Sequence, residues 1–401
     1  MADLKVEFAG LKLMSPFLLA PAPPTATGEM IQRAFGSGWA GAVTKSIALQ
    51  PAIDARPRLA RLAMANKTIG LENIELVSQR NLDTWVKDIE EIKRHYPDHV
   101  LFASLTAGVV REEWHSLIKQ VEEAGVDGVQ LDFGCPHGMP GKGMGSIQGQ
   151  DPTIAGEITR WAKEIATVPV MVKLTPNVTD IAQIGRSCEE AGADAIAAID
   201  TVLALIGVDL DRLEPLPSVG GTSSLGGYSG PGIKPIGLRC IAQLAKGTGL
   251  PLSGIGGIAR WQDAAEYILV GASTVQVCTA VMLQGYGTVE KMKKGLSAYM
   301  DEKGFQSVGE MRGEILPKIT AHEELDFGHE VVAAIDEALC SRCGLCHTAC
   351  MDGGWQAIEM ESREVNPRVV IERCDGCSLC THVCPVEGCI TMVPLQTTQH
   401  S

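Results

Sequence analysis

The chain has 401 residues, 45% hydrophobic and only 4% aromatic, with 44 glycines and a formal net charge of −14. The acidic balance argues against nucleic acid or an anionic membrane surface as partner. No run approaches the roughly 18 apolar residues of a membrane span, and Met1-Ala2-Asp3-Leu4-Lys5-Val6 lacks the charged-then-apolar order of a secretory leader.

The first elements read as follows. Lys5 to Leu13 alternates around Gly10 and predicts a small hairpin. Eight short apolar runs follow, at 17–20, 41–45, 100–105, 128–132, 170–174, 195–199, 252–255 and 274–277, with amphipathic stretches between them. That alternation is the signature of a parallel α/β domain, and eight repeats over about 300 residues fit a (β/α)8 barrel. Four junctions share one pattern, in which a helix ends at Gly38, Gly125, Gly192 or Gly271 and a strand begins. Glycine suits that position because it accepts positive φ. A doubly wound open sheet is the competing fold, but no G-x-G-x-x-G follows the first strand. The same absence predicts no dinucleotide site in this chain. Residues 1–305 are assigned to the barrel, 306–336 to a charged connector and 337–401 to a small C-terminal domain.

That last domain carries eight of the 13 cysteines in two matched runs. Cys340, Cys343, Cys346 and Cys350 are spaced C-x2-C-x2-C-x3-C; Cys374, Cys377, Cys380 and Cys384 repeat the spacing, and Pro385 follows. This is the ligand pattern of a ferredoxin-like domain with two [4Fe–4S] clusters. Three thiolates two residues apart wrap one cluster, and the fourth reaches the other. Cys340, Cys343, Cys346 and Cys384 are therefore expected on one cluster, and Cys374, Cys377, Cys380 and Cys350 on the second. Zinc and disulfides are the alternatives; zinc sites come as separated pairs rather than compact triplets. Cys389 lies outside both runs and reads as a packed thiol. Such cysteine usage points to a reducing, cytoplasmic compartment.

Single electrons carried by clusters need a donor or acceptor in the barrel. In barrels of this kind the chemistry sits at the C-terminal ends of the strands, and the loops after strands seven and eight often hold a phosphate through backbone N–H groups. Here those ends carry Gly256-Gly257 and Cys278-Thr279. FMN would satisfy both the phosphate site and the electron exchange. Lys45 and Lys173 end strands two and five, where a cation can face a cofactor and stabilise reduced flavin; a rim salt bridge is the alternative. The strand-four loop, Asp132 to Ser146, is Gly-rich and carries Cys135 and His137. Cys135 is a candidate general acid or a structural thiol of the kind expected for Cys188 and Cys240. His137 is a helper or a loop anchor.

These segments resemble the dihydropyrimidine dehydrogenase family. The resemblance is carried by G-C-P-H-G-M, G-Q-D-P and K-L-T-P-N-V-T-D-I within 124–181, by Gly226-Gly227-Tyr228-Ser229-Gly230, by Gln276-Val277-Cys278 and by both cysteine runs. It spans nearly the whole chain, and the length and domain content look like those of the catalytic subunit of the two-subunit bacterial enzyme. The barrel alone also resembles dihydroorotate dehydrogenase. The first resemblance implies a hetero-oligomer in which NAD(P)H acts only through an FAD-binding iron–sulfur partner subunit. Electrons would then cross two [4Fe–4S] clusters and FMN to the 5,6 double bond of a small heterocycle such as uracil or thymine, with Cys135 protonating C5. It further implies that Ala20, Lys45, Lys173, Gly230, Gly256, Gly257, Cys278 and Thr279 bind FMN, and that Asn73, Glu75, Asp132, Asp200 and Thr201 meet the substrate.

Two positions depart from the family, which has asparagine where this chain has Asp132 and Asp200. An ionised Asp only accepts hydrogen bonds, whereas an Asn amide both donates and accepts. The departure predicts a ring with more N–H donors than uracil, unless burial keeps a proton on the carboxyl and makes it mimic Asn.

Overall fold

The computed structural model describes residues 2–135 and 143–395. They form two compact units, Met1–Ile319 and Thr320–Ser401.

The first unit is a closed eight-stranded parallel barrel. Its strands are Phe17–Leu19, Gly41–Val43, Val100–Leu105, Gly128–Asp132, Val170–Leu174, Ala195–Ala198, Leu252–Ile255 and Thr274–Val277, and each pairs with its chain neighbours until the eighth meets the first. The fold class is thus the one expected, and five strands have the expected bounds. The other three stop one or two residues early. Ala20, Thr44 and Ile199 still donate to Val277, Phe102 and Ile255 on neighbouring strands, so the ladder outlasts the regular strand. Lys45 then turns its amide to the Thr25 carbonyl.

Inward and outward residues alternate along each strand. Val100 and Phe102 point into the barrel, and Leu101, Ala103 and Leu105 pack under the helices. The predicted hairpin forms from Val6–Phe8 and Leu11–Leu13, and its Phe8 meets Phe102 edge-on, closing one end of the barrel. Burying each such side chain contributes about 1.5–3 kcal/mol. The four junction glycines all have positive φ, from 93° at Gly192 to 118° at Gly271.

Two segments of the resembling motif serve the fold. Asp151, followed by Pro152, accepts from the Thr153 and Ile154 amides and caps the helix Pro152–Ile165. Asp180 caps Ile181–Glu190 in the same way. Side-chain caps of this kind contribute about 1 kcal/mol.

The stretch expected as a connector divides differently. Val308 and Met311 are buried in the barrel unit's core, and Gly313 and Ile315 donate to Ile268 and Leu269. Val331–Ile335 is a strand paired with Ile390–Pro394 in the second unit. Apolar residues in an otherwise charged stretch decide both attachments.

A four-stranded antiparallel sheet was not anticipated: Val202–Ala204, Gly226–Ser229, Lys67–Asn73 and Leu59–Met64, in that order. It carries Asn73 and delivers Gly230 to the site. No helix among the described residues is long and apolar enough to cross a membrane.

Candidate active site and cluster-binding unit

Cys135 and every barrel residue expected from the sequence to meet cofactor or substrate line one cavity. Its wall includes Ala20, Lys45, Asn73, Glu75, Asp132, Cys135, Lys173, Asp200, Thr201, Gly230, Gly256, Gly257, Cys278 and Thr279, around about 1370 Å³ of atom-free space. Strand ends and the loops after them supply most of these residues, and the extra sheet supplies Asn73. Residues 136–142 of the strand-four loop, His137 and Lys142 among them, lie outside the described residues.

The charges inside are paired. Lys173 ends in an ion pair with Asp200 at 2.5 Å. Asp200 takes its own second bond from the Thr201 amide at 2.5 Å. Burial pushes the Asp200 carboxyl up, but Lys173 and the Thr201 groups outweigh it and hold the pKa below the ordinary value. Burial likewise opposes charge on Lys173, but Asp200 and Asp132 outweigh it and raise its pKa. Asp132 goes the other way. Burial and the nearby Asp200 charge raise its pKa, and Lys173, Ser46 and the Gly134 amide do not reverse this. Asp132 is thus the acid of the pair that keeps its proton most readily, and Asp200 is the carboxylate.

Asp132 bonds the Ser46 hydroxyl and accepts from the Gly134 amide at 3.2 Å. Ser46 meets Ser104 at 3.0 Å, and Gln130 donates to Ser104 at 3.2 Å. This chain of hydroxyls ends in the barrel interior.

At the cap side, Glu75 joins Lys45 at 3.1 Å and Arg58 at 2.7 Å. Asn73 donates to the Gly227 carbonyl at 3.0 Å and accepts from the Glu75 amide at 3.2 Å. Asn177 bonds the Thr201 carbonyl and the Leu203 amide, tying the loop after strand five to the segment after strand six. Ser46, Arg58 and Asn177 were not singled out from the sequence. Ser46 follows Lys45 directly and Asn177 sits in the K-L-T-P-N motif, so both had a positional signal; Arg58 had none.

The cavity fits a flavin nucleotide. Gly256 and Gly257 have φ of 121° and 73°. A Cβ on Gly257 would lie 2.8 Å from the Lys234 backbone nitrogen, so only glycine leaves this backbone open to a ligand. Opposite, Thr279 bonds Ser229 at 2.9 Å beside Gly230, whose φ is 95°. Burial pushes the Cys278 thiol up to about 12 against the pull of Lys45, so it stays neutral. The Gln276 side chain lines the cavity, and its buried Oε1 has no hydrogen-bond partner among the described residues. A buried acceptor without a partner costs about 1–3 kcal/mol, and a ring N–H would supply one.

In the second unit the cysteines border two smaller cavities. Cys340, Cys343, Cys346 and Cys384 line one, with Cys389 beside them. Cys350, Cys374, Cys377 and Cys380 line the other. The halves repeat each other in backbone as well as spacing. Arg342 and Gly344 have positive φ, and so do Gly376 and Ser378 at the matching positions. Left-handed residues on both sides of the middle cysteine curl the loop and turn the thiols inward. Helices Leu345–Gly353 and Leu379–Val383 then carry the fourth cysteine of each run, or end beside it, across to the other cavity. Cys389 is 2% exposed and its thiol donates to the Asp336 carbonyl at 3.7 Å.

Residues 3–300 match the dihydroorotate dehydrogenase family model, and residues 333–392 match the 4Fe-4S dicluster domain. The NAD-dependent dihydropyrimidine dehydrogenase subunit PreA of Escherichia coli K12 is 40% identical over 394 residues, covering 97% of this chain and 95% of that protein. The chloroplastic dihydropyrimidine dehydrogenase (NADP(+)) of Arabidopsis thaliana is 40% identical over 337 residues, covering 80% and 79%. The catalytic subunit of dihydroorotate dehydrogenase B (NAD(+)) from Pyrococcus abyssi is 38% identical over 312 residues, covering 77% and 98%. The chain therefore belongs to the dihydropyrimidine dehydrogenase family of oxidoreductases, with a dihydroorotate-dehydrogenase-type barrel followed by a 4Fe-4S dicluster domain.

Proposed function

We propose that this chain is the catalytic subunit of a cytoplasmic, two-subunit enzyme that reduces or oxidises the 5,6 double bond of an uncharged pyrimidine-type ring. NAD(P)H would act through an FAD- and iron–sulfur-binding partner. The observation that carries the reading is the convergence of Cys135 and the expected cofactor and substrate residues of the barrel on one cavity.

When bound, FMN exchanges a hydride with the ring carbon and single electrons with two [4Fe–4S] clusters. The chain's own groups do the rest. The Gly256-Gly257 and Cys278-Thr279 backbones, with Ala20 and Gly230, hold the nucleotide, and Lys45 and Lys173 face its polar edge. Asn73, Glu75, Asp132, Asp200 and Thr201 orient the substrate. Cys135 delivers a proton to C5 as C6 receives hydride. The crossed cysteine sets lining the two cavities of the second unit support the ligand assignment read from spacing.

Dihydroorotate chemistry is the second reading, favoured by the barrel's family match. The cavity's charges weigh against it. Among the described residues, Lys45 and Lys173 are the cations in the wall, and both already hold carboxylates. A substrate carboxylate would find neither open.

The test is Cys135→Ala in the complete enzyme. Turnover falls by at least 100-fold, the usual scale of general-acid loss, and reduction of the bound flavin through the partner is unchanged. Normal turnover would remove Cys135 from the chemistry.

A further inference from the structure

We propose that the ring bound here carries an exocyclic amino group next to a ring nitrogen, an aminopyrimidine edge, in place of the alternating carbonyl and N–H edge of uracil. This rests on the reading that the Cys135 end of the cavity holds the heterocycle.

The inner wall is asymmetric. The Asp200 carboxylate receives Lys173 and the Thr201 amide, each at 2.5 Å. It has lone pairs to spare and no proton, so it offers a ligand acceptance only. Asp132 is 3% exposed and bonded to Ser46 and the Gly134 amide. With its proton it donates one bond; without it, it only accepts.

Set against this wall, a ring carbonyl beside Asp200 would bring two lone-pair oxygens together away from water. Neither oxygen then meets a donor, which weakens binding. An amino group at that place donates to Asp200 instead. The neighbouring ring nitrogen then accepts the Asp132 proton.

The charge count agrees. On the inner wall Lys173 faces two acids, Asp132 and Asp200, while Glu75 pairs separately with Lys45 and Arg58. The inner group therefore has one acid more than Lys173 can pair. A basic ring nitrogen absorbs the surplus either way, as a neutral ring on a protonated Asp132 or as a protonated ring on an ionised one. The total charge is the same, so the site need not expel a proton to bind. An anionic ring would add to the surplus.

The test is equilibrium dialysis of the FMN-loaded chain, oxidised and without substrate turnover, against cytosine, isocytosine, uracil and orotate. Cytosine or isocytosine binds at least tenfold more tightly than uracil. Asp200→Asn, checked for full flavin content, shifts that ratio at least tenfold toward uracil, and Asp132→Asn does so if Asp200→Asn fails to fold. Tighter uracil binding by the unaltered chain, or variants that leave the ratio unmoved, would overturn the amino-ring assignment and leave the catalytic reading intact. No binding of any pyrimidine would overturn both, and preference for orotate would install the dihydroorotate reading instead.

Discussion

Lys173 holds its ammonium 2.5 Å from the Asp200 carboxylate, with the two side chains only 7% and 10% exposed. The lysine is the last residue but one of its barrel strand, and the next strand delivers the aspartate just past its end. The pair puts a compensated charge where the family resemblance places an open cation against the flavin. Burial makes the pair costly to break, since neither partner can turn to water for a substitute bond.

Removing the carboxylate should raise the flavin midpoint potential. In Asp200→Asn the Lys173 charge is no longer offset, and an open cation favours the anionic reduced ring. A tenfold shift in the reduction equilibrium corresponds to about 30 mV for two electrons. Dye-linked spectrophotometric titration of the FMN-loaded chain reads this directly. An unchanged potential would mean that Lys173 does not face the flavin ring.

Gly257→Ala should strip the flavin while leaving the barrel folded. At φ 73° the added Cβ sits 2.8 Å from backbone of Lys234. The left-handed backbone alone costs about 1–2 kcal/mol, and the displaced loop can no longer meet the nucleotide. Flavin content after purification should fall at least tenfold with an unaltered far-UV CD spectrum. Gly304→Ala is the control, because at φ 84° and ψ 9° it takes a left-handed backbone with nothing within 4 Å, and it should keep its FMN.

The crossed lining of the two small cavities makes a prediction about pairs of mutations. Cys340→Ala with Cys384→Ala should lose one cluster and leave about four of eight irons, because both residues border one cavity. Cys374→Ala with Cys384→Ala should lose both clusters, although these two residues belong to the same run in sequence. Iron analysis and EPR of the reduced protein distinguish the outcomes. Equal losses in the two double variants would reject the crossed arrangement.

Glu72 should make folding stability fall with pH. It lies in the unanticipated sheet, fully buried, and neither carboxylate oxygen has a good partner among the described residues. Burial pushes its pKa up to about 7, with the Ile206 backbone opposing, from an ordinary 4.5. The folded form therefore holds the proton over a range where the unfolded chain has lost it. By linkage, its share of stability is intact below about 4.5 and is lost as pH rises to about 7. Urea denaturation at pH 5 and pH 8 should differ by about 1–3 kcal/mol more than in Glu72→Gln, a range typical of an unsatisfied buried polar group. Identical pH slopes would place Glu72 in contact with water or a cation.

The barrel strands were legible because a parallel strand under helices is apolar on both faces and short, and four of them are announced by a glycine with positive φ. The antiparallel sheet was not. Leu59–Met64 is mostly exposed, and the Lys67–Asn73 strand pairs with Gly226–Ser229 at a separation of about 150 residues. Its strands are half polar and follow no clean alternation. Arg58 shows the same limit from the side of function. It reaches Glu75 at 2.7 Å, and nothing in its neighbourhood along the chain marks it.

The cysteine spacing, the eight apolar runs and the glycine-rich strand ends are local patterns, and local geometry is dictated by neighbours in sequence. From them alone come the barrel, the two cysteine quartets and the lysines, glycines and cysteines at the strand ends, whereas Ala20, Asn73, Glu75, Asp132, Asp200, Thr201 and Gly230 followed from the family resemblance. Which of two aspartates carries a proton is a different kind of fact. Asp132 and Asp200 are the same residue type at comparable strand ends, yet their pKa values move in opposite directions. Asp200 lies against the lysine, whereas Asp132 bonds a serine in the barrel's dry interior. Electrostatic energy depends on distance through space and on exclusion of water, and only the folded chain sets either.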